Sequence, residues 1–122
     1  MRLLVVDDDE DCREILLTIL SAHGAVVRCA ANATEGLIKF QEEPPDVLIS
    51  DIGMPGVDGY EFIRSIRGLS DIGGGKVPAI ALTAYSRIED RELALRAGFT
   101  LHISKPVDLH RLVSAVLEVI GP

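Results

Sequence analysis

Five short apolar runs punctuate the 122-residue chain: Leu3–Val6, Val26–Ala30, Val47–Ser50, Ala79–Thr83 and Leu101–Ser104. Most are nearly continuous and partly β-branched. A strand with one wet face alternates polar and apolar residues, whereas an unbroken apolar run of this length fits a strand covered on both faces. Helical patterns separate the runs. Ile15, Leu16, Ile19 and Leu20 form a stripe at helical spacing. Asn32-Ala33-Thr34-Glu35 reads as a capping box ahead of Leu37, Ile38 and Phe40, and Pro44-Pro45 ends that helix. A third helix is predicted from Asp58 with Phe62, Ile63 and Ile66 inward. A fourth opens on the capping box Ser86-Arg87-Ile88-Glu89 and ends at Gly98. The last starts near Asp108, carries Leu109, Leu112, Val113, Val116 and Leu117, and ends at Gly121-Pro122.

Strand and helix thus alternate five times. Short connections and right-handed crossovers turn this order into an α/β, doubly wound parallel sheet. For five strands the flavodoxin-like order 2-1-3-4-5 is the leading choice. It makes strands one and three neighbours, and ligands in such sheets bind beyond the carboxyl ends of the strands. The length suits one domain over residues 1–122, with no linker-like segment to divide it.

The chain carries a net charge of -7. That speaks against a nucleic-acid surface, which needs clustered Lys and Arg. No apolar run approaches the roughly 20 residues of a membrane span, so a cytoplasmic protein without membrane insertion is expected. Cys12 and Cys29 stand in no metal-like spacing and read as buried free thiols. His23 and His110 read as surface residues. "GGGK", residues 73–76, lacks the Ser or Thr of a phosphate-binding loop and precedes strand four, the wrong end of the sheet.

The acidic excess is concentrated. "LLVVDDDEDCR" runs straight from strand one into Asp7, Asp8, Asp9, Glu10 and Asp11. Asp9 is suited to cap helix one, with Glu10 and Asp11 in its first turn, where the helix dipole favours acids and where Arg13 softens their repulsion. Asp7 and Asp8 remain. Asp51 follows strand three in "DIGMPGVDG", Thr83 closes strand four in "ALTA", and Lys105 follows strand five in "SKP". All five fall at one sheet edge. Three converging carboxylates need a counter-charge. Oxygen donors without competing His or Cys suit Mg²⁺ or Mn²⁺, and Mg²⁺ favours one or two carboxylates plus phosphate oxygens. A carboxylate ringed by cation, ammonium and hydroxyl is equipped to form an acyl phosphate.

These four stretches, in this order and context, resemble the receiver domains of two-component response regulators over essentially the whole chain. The resemblance implies that Asp51 is the phosphoacceptor. It implies that Mg²⁺ is bound by Asp8 and Asp51, with Asp7 helping through water and the backbone carbonyl of Gly53 completing the protein ligands. Thr83 would hydrogen-bond the phosphoryl group, and Lys105, followed by a cis bond to Pro106, would pair with a phosphoryl oxygen. His102 stands where receivers often carry an aromatic switch residue. Its alternative is an exposed strand histidine. The phosphoryl donor would be a histidine kinase or histidine phosphotransfer protein, and the output a downstream protein partner or covalently linked domain reached through the face of helix four, strand five and helix five. On this reading the chain is a switch, not a turnover enzyme, though it assists its own phosphorylation and dephosphorylation. The segment from Gly73 to Asp108 resembles receivers attached to hybrid histidine kinases, with a free-standing regulator as the alternative.

Pro55, Gly56 and Gly59 are expected to shape the turn beside Asp51. Gly53 offers no side chain to orient water, and Tyr85 is placed to shield the acyl phosphate, which together suggest a long-lived phosphoryl group. The rival from another class is a small haloacid-dehalogenase-like phosphohydrolase with Asp7-Asp8-Asp9 as its Asp-x-Asp. That reading leaves Asp51 unexplained. A flavodoxin-like cofactor binder is disfavoured by the scarcity of aromatics near the switch point.

Overall fold

The computed structural model describes residues 1–54, 56, 58–84 and 88–120. Strands and helices alternate: β1 (Arg2–Val6), α1 (Glu10–Ala22), β2 (Val26–Ala30), α2 (Ala33–Glu42), β3 (Val47–Asp51), α3 (Gly59–Arg67), β4 (Ala79–Thr83), α4 (Ile88–Ala97), β5 (Leu101–Ser104) and α5 (Leu109–Ile120). The five strands pair in parallel in the order β2-β1-β3-β4-β5, as expected of five such units. β1 and β3 are neighbours, with Val6 level with Ser50, so the residues that leave these strands do so side by side.

The sheet divides the core in two. Leu3, Val5, Val47, Ile49, Ile80 and Leu82 face α1 and α5, meeting Leu16, Leu20, Leu112 and Val116. The alternate residues Leu4, Val6, Leu48, Ala79 and Ala81 face α2 and α3, meeting Phe40, Phe62, Ile63 and Ile66. Both sides of β1, β3 and β4 are therefore dry, which accounts for their unbroken apolar runs. Three caps fix where helices begin. The Asp9 carboxylate accepts from the amides of Asp11 and Cys12. Asn32 accepts from Glu35 N at 2.8 Å while Glu35 accepts from Ala31 N at 3.1 Å. Asp58 accepts from Glu61 N at 2.9 Å. The Ser86–Glu89 box, Pro55, Tyr85 and the stop at Gly121-Pro122 fall on or run into residues outside those described.

Three apolar residues read as core lie outside it. Ile15 is 53% exposed, Ile38 55% and Leu117 61%. Each is one or two positions away from a buried residue of its own helix (Leu16, Gly36 or Phe40, and Val116). One residue is about 100° of helical turn, enough to carry a side chain off a narrow buried stripe.

Arg67 performs a task that composition conceals. It has no carboxylate partner among the described residues. Its guanidinium donates to three carbonyls: Gly98 at 2.9 Å, Gly75 at 3.1 Å and Val77 at 2.6 Å. It thereby ties the end of α3 to the loop entering β4 and to the end of α4. Burial lowers its pKa, yet a guanidinium keeps its charge. Arg67→Met fills similar volume without the fork and strands these carbonyls. A loss of about 1–3 kcal/mol is expected, read as a lower urea midpoint.

Candidate functional site

The parallel register brings the strand ends together at one edge. Asp51 is the last residue of β3 and is level with Leu82. Thr83 is level with Ser104, and Lys105 comes next. The Lys105 amide donates to the Thr83 carbonyl at 2.7 Å, extending the ladder beyond β5. The bond from Lys105 to Pro106 is cis, as the resemblance implied.

Asp7 is fully buried, Asp51 is 6% exposed and Thr83 2% exposed, while Asp8 lies in the open. Lys105 Nζ stands 3.0 Å from Asp7 Oδ2 and 3.6 Å from Asp51 Oδ2, one ammonium shared by two acids. Asp7, Asp8 and Asp51 each offer an oxygen, and these lie within 4.8 Å of one another. Burying a carboxylate beside others costs free energy unless positive charge compensates. Lys105 compensates in part. Its own pKa is pulled down by burial, but the hydrogen bond and charge of Asp7 and the charge of Asp51 outweigh this and raise it. Asp51 is raised, first by burial and then by the charge of Asp7, against the opposing pull of Lys105 and the Gly53 amide. That amide donates to Asp51 Oδ1 at 3.3 Å. The cluster thus carries unrelieved negative charge, and its all-oxygen donor set fits a hard divalent cation.

Local backbone holds the acids in place. The Asp9 amide donates to Asp7 Oδ1 at 2.9 Å. Beyond β3, Gly56 adopts φ +78°, a turn conformation that glycine permits. Gly59 serves a different need from the turn expected of it. A Cβ there would lie 2.5 Å from the Asp51 carbonyl oxygen and 2.6 Å from Ile52 Cα. Only glycine lets the start of α3 close on the end of β3, and its amide donates to the Ile52 carbonyl at 2.9 Å.

Two neighbours of the site, Arg13 and Cys12, stand closer to Asp7 than the sequence reading placed them. Arg13 reaches back to donate to the Asp7 carbonyl at 2.7 Å. It therefore anchors the backbone at Asp7, a task more specific than softening acid repulsion. Cys12 is half-buried and free. Burial, followed by hydrogen bonding to Asp7, pushes its thiol up to about 12. Their positions three and four residues beyond the Asp9 cap are the signal: that stretch of α1's first turn faces back over the end of β1. Cys29 is also free and half-buried. His102 is half-buried on β5, so it is not the exposed strand histidine of the alternative reading.

In metal-free protein the raised pKa of Asp51 makes the native state bind protons more readily than the unfolded chain. Ionised Asp51 therefore destabilises the fold above its raised pKa, and the penalty fades as pH falls toward the ordinary value of about 3.9. Asp51→Asn removes the penalty. In chelator at pH 7 the variant is expected to show a higher urea midpoint than the parent, and the gap should narrow as pH is lowered toward 4. Added Mg²⁺ is expected to stabilise the parent far more than the variant.

The chain matches known proteins in sequence and in fold. The model of the response regulator receiver domain matches residues 3–117. The chain is 48% identical over 118 residues to an uncharacterized 14.6 kDa protein of Leptolyngbya boryana, covering 97% of this chain and 88% of that one. It is 37% identical to the response regulator MprA of Mycobacterium tuberculosis, covering 93% of this chain but 48% of MprA. Among solved structures, the chemotaxis protein CheY4 of Vibrio cholerae superposes with a TM-score of 0.90 at 30% identity, covering 97% of each chain. A putative response regulator of Chloroflexus aurantiacus does so with a TM-score of 0.91 at 33% identity, covering 98% of this chain and 96% of that one. These matches leave the haloacid-dehalogenase alternative without support. Fold, carboxylate cluster and sequence together place this chain in the family of response regulator receiver domains of two-component systems.

Proposed function

We propose that Asp51 is the residue phosphorylated in this receiver and that a histidine kinase or histidine phosphotransfer protein is the donor. The observation that carries this reading is the position of the Asp51 carboxylate, 3.6 Å from Lys105 Nζ and within 4.8 Å of ligand oxygens on Asp7 and Asp8. An Asp51 carboxylate oxygen attacks the phosphorus of phosphohistidine. The new O–P bond forms as the N–P bond breaks, and the imidazole leaves with the bonding pair. Lys105 pairs with a phosphoryl oxygen, and the Thr83 hydroxyl donates to another once transfer is complete.

Asp8 and Asp51 would hold Mg²⁺ through their carboxylates, with Asp7 assisting and the backbone carbonyl of Gly53 completing the protein ligands. A bound ion would supply the positive charge that this crowded cluster lacks and would oppose the upward shift of the Asp51 pKa. Protons compete with it, so the Mg²⁺ requirement steepens as pH falls. Arg13 and Gly59 keep the two ends of the cluster at fixed separation.

The output is conformational. A phosphoryl group that draws Thr83 inward frees space on the α4 side of β4, where the small side chain of Ala81 is level with His102. His102 then turns inward as the aromatic switch residue does in this family, and the face of α4, β5 and α5 changes. Such a shift needs only a modest bias on two existing states. The protein acts in the cytoplasm as a switch, and no described helix is long and apolar enough to cross a membrane. Its output is a downstream protein or a linked domain. The chain spans about half of MprA, so a place within a longer hybrid kinase and a free-standing regulator both fit.

Incubation with Mg²⁺ and acetyl phosphate, followed by borohydride trapping and mass spectrometry, is expected to place the label on Asp51. Asp51→Asn should abolish it, chelator should suppress it, and Lys105→Ala should reduce it by about tenfold or more, the scale of losing one charged contact to the transferred group. Label that persists on Asp7 in the Asp51→Asn protein would overturn the assignment.

A further inference from the structure

We infer that a second copy of this chain docks at the edge of the sheet where the strands begin, in a two-fold pair in which Ile72 of each copy enters an apolar cavity of the other. This edge lies opposite the carboxylates. Ile72 belongs to the loop that leads from α3 into β4, and it is 98% exposed. The loop is firmly built. The Gly73 amide donates to Ser70 Oγ at 3.0 Å, the Gly74 amide to the Asp71 carbonyl at 3.1 Å and the Gly75 amide to the Ser70 carbonyl at 3.0 Å. Arg67 holds the Gly75 and Val77 carbonyls. The turn sits on Phe40, whose ring lies 2.8 Å from where a Cβ of Gly74 would stand. A turn fastened in this way displays its isoleucine with little left to order on contact, which lowers the cost of binding.

The cavity lies at the same edge, where β1 and β2 begin, on the face that α1 and α5 cover. It encloses about 250 Å³, and its lining includes Leu3, Leu20, His23, Val113, Val116 and Leu117. That is room for a branched aliphatic side chain, among walls that favour one over water. Polar groups match as well. The Ile19 carbonyl can only accept, so its 2.9 Å contact with His23 Nδ1 places the ring proton on that nitrogen. In the neutral ring Nε2 is then an acceptor. Beside Ile72, exposed Lys76 meets exposed Asp71 at 3.3 Å, a weak contact that is easily exchanged. Its ammonium can donate to the partner's His23 as Ile72 goes in. Protrusion and cavity occur on one chain, so a two-fold axis makes both contacts at once and closes after two copies. A lipid surface suits this edge less. One isoleucine anchors weakly, and anionic headgroups repel a chain of charge -7.

The test is sedimentation of the full chain from about 20 µM to about 1 mM, the range of a small transient interface, at physiological salt, which screens the mutual repulsion of two acidic copies. The mass is expected to climb from 13.2 kDa toward twice that value. Ile72→Asp and Leu117→Arg change exposed side chains, and each should hold the protein at the monomer mass throughout. Ile72→Val should weaken association several-fold, the scale of one methylene lost from each contact. An equimolar mixture of the Ile72→Asp and Leu117→Arg proteins restores one intact protrusion and one intact cavity per pair, so it should associate again, more weakly than the parent. Circular dichroism verifies the fold of each variant. Amide chemical shifts of the parent should move with concentration at His23, Ile72, Gly73 and Leu117 and stay still at Asp51 and Thr83. A parent that is monomeric across the range, single variants that pair as the parent does, a mixture that stays monomeric, a mass that climbs past twice the monomer value, or shifts centred on another face overturns the inference.

Discussion

One ammonium stands between two buried acids, and the active edge of this receiver is organised around that shortage of positive charge. Lys105 reaches both Asp7 and Asp51 but cannot neutralise both while Asp8 adds a third carboxylate nearby. The fold tolerates the imbalance because strong local devices hold each acid: the Asp9 amide and the Arg13 guanidinium at Asp7, the Gly53 amide at Asp51. A site held rigid in an unfavourable charge state is primed for whatever relieves it. A hard divalent cation would relieve it, because the all-oxygen cluster already offers the ligands such an ion takes.

The two faces of β4 are unequally furnished. Toward α1 and α5, the central strands present Val5, Ile49, Ile80 and Leu82. Toward α3 and α4, β4 presents the small residues Ala79 and Ala81, with Thr83 at its end. Close packing resists displacement where large side chains interlock, and yields where small ones leave room. Thr83 and His102 lie on that second side.

Much of this was legible in the chain. Unbroken apolar runs revealed a doubly covered parallel sheet, and Asp9, Asn32 and Asp58 marked helix starts because capping is a local interaction among neighbours in sequence. The convergence of Asp7, Asp51, Thr83 and Lys105 followed from topology, since residues that end parallel strands must share an edge. What escaped notice depended on angle or distant approach. Ile15, Ile38 and Leu117 have the right composition but the wrong azimuth. Gly59 matters for a backbone that comes within 2.6 Å of where a Cβ would stand, and Arg67 for carbonyls eight, ten and thirty-one residues away. No periodicity encodes such contacts.

Helix α4 buries a single side chain, Ala94, where α3 buries Phe62, Ile63 and Ile66. Its tail is roped to the body through Arg67 and the Gly98 carbonyl, and little apolar area restrains the remainder. An element moored at one end swings rather than detaches. The helix can therefore change its tilt at small energetic expense, its first turn travelling furthest while its tail stays beside α3.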